Sequence, residues 1–218
     1  LIDPYGGQED LKAKILRHVS PAFKEDPLRV LRVARFAARF PDFSVDASTM
    51  QIMYEMAQSK LIEGLTPERV FEETKKALST NNPDRYFELL NDINVNIQLW
   101  PELKKDDTKR LRSWMSDTNP VHSFTVLTAS LNLEELSSLT KRLRFPVIYE
   151  QMSSLTMKIY KVDLSKASAA DIVNTLYELD AFRAHERFKE ASRLAISLKR
   201  LNENSLEVSN RWPTYLEE

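Results

Sequence analysis

Apolar positions recur at three- and four-residue spacing along most of the chain, the period of helices that bury one stripe. The clearest run is Leu28-Arg29-Val30-Leu31-Arg32-Val33-Ala34-Arg35-Phe36. It predicts a helix from about Pro27 to Phe40 that stops at Pro41, with Asp26 at or near the N-cap. A second helix is predicted over about Ala47–Ser59, and a third starts at Thr66-Pro67, with Thr66 as its cap. Glu68 then sits near the positive end of that helix's dipole. Asn82-Pro83 opens the next helix, through Leu90. Further runs predict helices over about Thr108–Met115, Val121–Leu131, Glu134–Leu143, Val147–Tyr160, Ala169–Leu179 and Ala184–Asn202. Ser168 and Asp171 have the spacing of a capping box. Ile15-Leu16-Arg17-His18-Val19 reads as a short strand, and residues 204–218, polar and holding Pro213, read as poorly ordered.

The three glycines are Gly6, Gly7 and Gly64, too few for the tight turns of a sheet-rich fold. The expected class is all-α with a short β or linker segment at the start. Breakers divide the chain into 1–24, 25–80, 81–145 and 146–218. With 218 residues there is room for one or two units with real cores. The chain lacks cysteine, which excludes disulfides and thiolate metal sites. No apolar run reaches membrane length.

Net charge is −1 and the isoelectric point is near 6.4, so a polyanion partner requires cations sorted onto one surface. Candidates are Lys141, Arg142 and Arg144, then Arg183, Arg187, Lys189 and Arg193. Trp100, Trp114, Phe124, Phe145, Phe182 and Phe188 are expected in the core. His18, His122 and His185 stand apart from one another and no His-Asp pair occurs, which speaks against a metal-dependent phosphohydrolase site.

The candidate chemistry lies in Asp26, Arg29, Arg32 and Arg35, at three-residue intervals on one predicted helix. A carboxylate only accepts hydrogen bonds and a guanidinium only donates. Side by side they match an amine next to a bare ring nitrogen, the edge that cytosine and adenine share. Guanine and uracil offer a carbonyl and a protonated nitrogen there and are rejected, steeply so where a buried polar group is left unpaired. Arg32 and Arg35 could then meet the phosphates. Spacing alone fits a solvated helix face equally well. The reading requires the carboxyl and its guanidinium to stand together at an open cleft.

Asp3-Pro4-Tyr5-Gly6-Gly7-Gln8-Glu9-Asp10-Leu11, the Leu16–Phe23 segment and the Glu25–Arg39 run together resemble the bacterial CCA-adding tRNA nucleotidyltransferases, the second class of a superfamily shared with poly(A) polymerases. The likeness is close through about Leu78, including Leu65–Val70, and thins after Trp100-Pro101-Glu102-Leu103. It implies that Asp26 and Arg29 select the incoming base and that Arg32 and Arg35 hold the nucleotide. Glu25, Glu68 and Arg69 are supporting residues, the helix of Arg69, Glu72 and Glu73 packing on the template helix. Substrates are CTP and ATP, the partner is tRNA, and the setting is the cytoplasm. Oligomeric state stays open.

In the family Mg²⁺ is held by a catalytic head, whose Gly-Gly turn, Asp-x-Asp pair and Arg-Arg-Asp element are not in these residues. The resemblance therefore implies a neck, body and tail that bind nucleotide without transferring it, with no metal or catalytic residue of their own. Alternatives are a poly(A) polymerase, a relative adding only A or only C, and a non-catalytic helical RNA-binding module.

Overall fold

A computed structural model describes residues 2–114, 117–162 and 168–203, with side chains to 201. The expectation for 204–218 lies outside the described residues. The fold is helical throughout, with one two-stranded parallel pairing.

Helix α1, Gly7–Ala13, occupies a stretch expected to be linker. It buries no residue and is held at its start by Asp3, whose carboxylate accepts from Gly7 N at 3.0 Å and Gln8 N at 2.7 Å. Gly6 precedes it at φ +71°, a conformation that favours glycine. Strand β1, Ile15–Leu16, is shorter than expected and pairs in parallel with β2, Ser44–Val45. A 3₁₀ turn, Pro21–Glu25, leads into α2, Leu28–Arg39. Asp46 caps α3, Ala47–Gln58, through Ser48 N and Thr49 N.

After a 3₁₀ turn at Leu61–Gly64 comes α4, Pro67–Leu78. Thr66 precedes it in extended conformation, but its hydroxyl makes no cap bond. The next helices are α5 (Asp84–Asp92), the unforeseen single turn α6 (Asn96–Leu99) and α7 (Lys105–Ser113). Helix α7 starts earlier than the periodicity suggests, because the Asp107 carboxylate accepts from Lys104 N at 2.7 Å. Then follow α8 (Pro120–Leu127), α9 (Leu133–Arg142), α10 (Val147–Lys161), α11 (Ala169–Glu178) and α12 (His185–Glu203). Ser168 and Asp171 form the capping box read from their spacing. With glycine scarce, Lys14, Lys60, Asn94, Arg144 and Asp180 take the left-handed positions where the chain reverses.

One apolar core runs from Phe23 to Leu198. In its first half α2 packs on α4 and α5; in its second, α10 packs on α8, α9 and α12. Phe71 of α4 joins the halves, its ring 4.9 Å from Phe145 and 5.7 Å from Tyr149. Trp100, Trp114, Phe124, Phe145 and Phe188 are buried as expected. Phe182 is not: it is 60 % exposed, its ring centre 4.8 Å from that of the likewise exposed Tyr177 and tilted 50° to it. No described helix is long and apolar enough to cross a membrane.

Candidate nucleotide site

Between α1, β1, the turn at 21–25 and α2 lies an open cavity of about 710 Å³. Arg29, Arg32, Val33 and Phe36 of α2 form one wall; Arg17, His18 and Phe23 are on the other. Helix formation places these side chains together, since 29, 32, 33 and 36 fall on one face at 100° per residue.

The Arg29 guanidinium donates through Nη1 to the Ala22 carbonyl, which aims it along the cavity wall. Arg32 is exposed and makes no hydrogen bond or ion pair with the described residues. Arg17 is held by Asp10 at 3.0 Å and Asp46 at 2.8 Å, so its charge is fixed and partly neutralised. His18 is anchored twice to Thr49 Oγ1, through its backbone N at 3.0 Å and ring Nδ1 at 2.8 Å.

Asp26 sits at the head of α2, where Leu28 N donates to its Oδ1 at 3.1 Å. By backbone geometry the cap is Pro27, one residue later than the sequence suggests, while Asp26 still satisfies a free amide of the first turn. Arg69 of α4 donates through one nitrogen, Nη2, to both Asp26 oxygens at 3.0 and 2.9 Å. Partial burial works to raise the Asp26 pKa. The Leu28 amide, the Arg69 hydrogen bonds and charge and the Arg29 charge together outweigh it, leaving the pKa below its usual 3.8. The carboxylate is thus an ionised acceptor with about a third of its side chain exposed.

The four spaced residues do not face one way. Steps of three residues rotate by about −60° each, so about half a turn separates Asp26 from Arg35. Arg29 and Arg32 line the cavity; Asp26 is not among its lining residues and lies at the helix head. Arg35 turns away from the cavity toward α4, where Nε donates to Glu73 at 2.6 Å, and its guanidinium lies 4.2 Å from the centre of the Phe36 ring. Both Arg35 and Glu73 side chains are nearly buried, 12 % and 8 % exposed. Glu25 is exposed, and Glu68 pairs across to Arg144. The helix of Arg69, Glu72 and Glu73 does pack on α2, and two of these three residues bond its polar groups.

Sequence reasoning missed Arg17 as a lining residue, and the direct Asp26–Arg69 bond, whose partners lie 43 residues apart. Several cations named for a polyanion surface are already paired: Arg142 with Glu102, Arg144 with Glu68, and Arg183 and Arg187 with Asp180. Among the described residues no three His, Cys, Asp or Glu side chains gather as metal ligands. His122 is satisfied between Asp117 at 2.8 Å and Glu190 at 2.5 Å.

Residues 42–107 match the family described as the probable RNA and SrmB-binding site of polymerase A. The chain is 40 % identical over 196 residues to the CCA-adding enzyme of Coxiella burnetii, covering 87 % of this chain and 52 % of that protein. It is 37 % identical over 233 residues to the multifunctional CCA protein of Methylobacillus flagellatus, covering 87 % and 56 %. The chain thus spans about half the length of the curated relatives it matches. A solved tRNA-processing enzyme with CTP has the same fold, at TM-score 0.66 and 22 % identity over 99 % of this chain and 65 % of that one. Over the portion of them that it spans, the chain is similar to the CCA-adding enzymes.

Proposed function

We propose that this chain is the nucleotide-selecting and tRNA-binding portion of a cytoplasmic CCA-adding tRNA nucleotidyltransferase, which adds C, C and A to tRNA 3′ ends from CTP and ATP. The observation that carries the proposal is an ionised Asp26 at the head of the same helix whose Arg29 and Arg32 line an open cavity of about 710 Å³. The base amine donates to Asp26 and its ring nitrogen accepts from Arg29. Arg69 feeds both Asp26 oxygens from one nitrogen, so it can release one of them to an incoming amine and keep the other. Arg29 exchanges the Ala22 carbonyl for the ring nitrogen. Arg32, with no ion pair among the described residues to leave, meets phosphate oxygens from the cavity wall. Arg35 holds α2 to α4 through Glu73 and acts on the nucleotide by positioning that helix.

Nucleotidyl transfer of this kind uses Mg²⁺ held by carboxylates against the phosphates. The described residues gather no such cluster. The chain alone is expected to bind nucleotide and not transfer it; incorporation of CMP or AMP into tRNA by this chain alone would refute that.

The test is thermal protection by CTP, ATP, GTP and UTP. Protection by CTP and ATP but not by GTP or UTP, lost in Arg29→Ala, supports the reading. No protection by any nucleotide, or equal protection by all four, points instead to a helical RNA-binding module whose arginines are ordinary surface.

A further inference from the structure

A second concavity, about 570 Å³, lies toward the C-terminal end of α2, where the last turns of α2 and α4 meet residues 79–82. Arg35, Arg39, Lys75 and Lys76 line it together with Asn81 and Asn82, and no Asp or Glu does. Two carboxylates stand behind these four cations. Glu73 is buried beneath Arg35 at 2.6 Å and Lys76 at 3.3 Å, and Glu72 is 3.5 Å from Lys75. Arg39 has no ion pair among the described residues; its guanidinium lies 5.6 Å from the centre of the Phe40 ring. Favourable interaction with helix C-termini accounts for cations in last turns. It does not account for a wall free of carboxylates, nor for the exposed Asn81 and half-buried Asn82 that complete it. On a chain of net charge −1, such a groove is a local reversal of sign.

We infer that this groove binds the phosphate backbone of RNA. Lysine, arginine and asparagine are the side chains that commonly donate to phosphate oxygens, and such contacts fix register without reading sequence. The inference rests on the tRNA reading above but names a separate site: Arg29 and Arg32 line one concavity, Arg35 and Arg39 the other. An RNA strand seated there runs past the C-terminal end of α2, next to the nucleotide cavity.

The test measures binding of a tRNA transcript to the 218-residue chain by fluorescence anisotropy across a salt series. In Arg39→Ala/Lys75→Ala the affinity should fall about ten-fold near 0.1 M salt, and the log–log salt slope should become shallower by about one to two. Protection by CTP should be unchanged, and Arg39→Lys/Lys75→Arg should keep the affinity. Both side chains are solvent-accessible, and circular dichroism checks that the variants fold. An unchanged tRNA affinity and slope, with CTP protection intact in the unaltered chain, overturns the groove and leaves the nucleotide reading standing. Loss of affinity for a polyglutamate probe with tRNA binding untouched overturns it in favour of an acidic peptide.

Discussion

Around α2, buried polarity takes the form of charges paired between helices, Arg35 with Glu73 and, half-buried, Asp26 with Arg69. Around α8 and α10 it takes the form of hydroxyls, some returned to their own helix, as Thr125 to Val121 O and Thr128 to Phe124 O, both at 2.8 Å, and some, those of Ser123 and Thr156, buried with no hydrogen bond among the described residues. Ser153 adds weaker hydroxyl contacts between the two helices at 3.2 and 3.3 Å. A hydroxyl bonded to its own helix costs little to bury and commits the helix to no partner. A buried ion pair ties two helices in one register, and removing one member strands the other. The α2–α4 unit is therefore built to hold its charges in fixed places. The α8–α10 unit is built to pack.

The largest expected effects separate the two units. Phe124 lies 4.6 Å from the Phe145 ring and is 1 % exposed. Phe124→Ala should cost about 3–5 kcal/mol in urea unfolding, yet CTP protection of the folded remainder should persist. Glu73→Ala should cost a similar 3–5 kcal/mol by leaving Arg35 without its partner, and here CTP protection should weaken too, because α2 loses its tie to α4. Replacing both members, Arg35→Met with Glu73→Leu, should recover most of the stability without recovering the protection. If Phe124→Ala and Glu73→Ala affect protection equally, the division between packing unit and binding unit does not hold.

A smaller effect belongs to the packing unit at alkaline pH. Burial, with a lesser contribution from the Glu72 charge, pushes the Tyr149 hydroxyl up to about 12 from 10.0. The folded chain keeps this proton where the unfolded chain gives it up. The contribution is whole below pH 10 and is lost as pH rises through about 12. Tyr149→Phe should remove that part of the alkaline decline, seen as a difference in urea midpoint between variant and parent from pH 9 upward. Parallel declines in the two would show that Tyr149 ionises as readily folded as unfolded.

The helices from α2 onward, α6 apart, were legible because each carries apolar positions at the helical period. Helix α1 was not, since it buries nothing and depends on Asp3 for its first amides. Helix α6 has four residues, too few for a period to show. Phe182 was misplaced because an aromatic ring at the end of an apolar run carries no sign of which neighbour, if any, will cover it. At the candidate site, the shared face of Arg29 and Arg32 follows from spacing within one helix. One further step of three residues turns Arg35 about 120° from Arg29, toward Glu73 of α4. What spacing could not supply is the partner of Asp26, because Arg69 reaches it from another helix.

That cross-helix bond gives the most delicate test of the comparison. The Asp26 pKa lies below 3.8, so its bonds to Leu28 N and Arg69 contribute stability above the unfolded value and lose it as pH falls through the folded one. Asp26→Asn removes the charge and should flatten the acid limb of the stability curve below about pH 4. At neutral pH it should cost little fold stability, since the pair is half-exposed and Asn can still accept from the Leu28 amide. Its effect on choice should be larger than its effect on stability. An amide can turn its nitrogen toward the base and donate where the carboxylate only accepts, so preference for CTP and ATP over GTP and UTP should narrow. If Asp26→Asn shifts the acid limb but leaves nucleotide preference intact, the carboxylate serves the α2–α4 junction alone, and selection lies with Arg29 and the cavity wall.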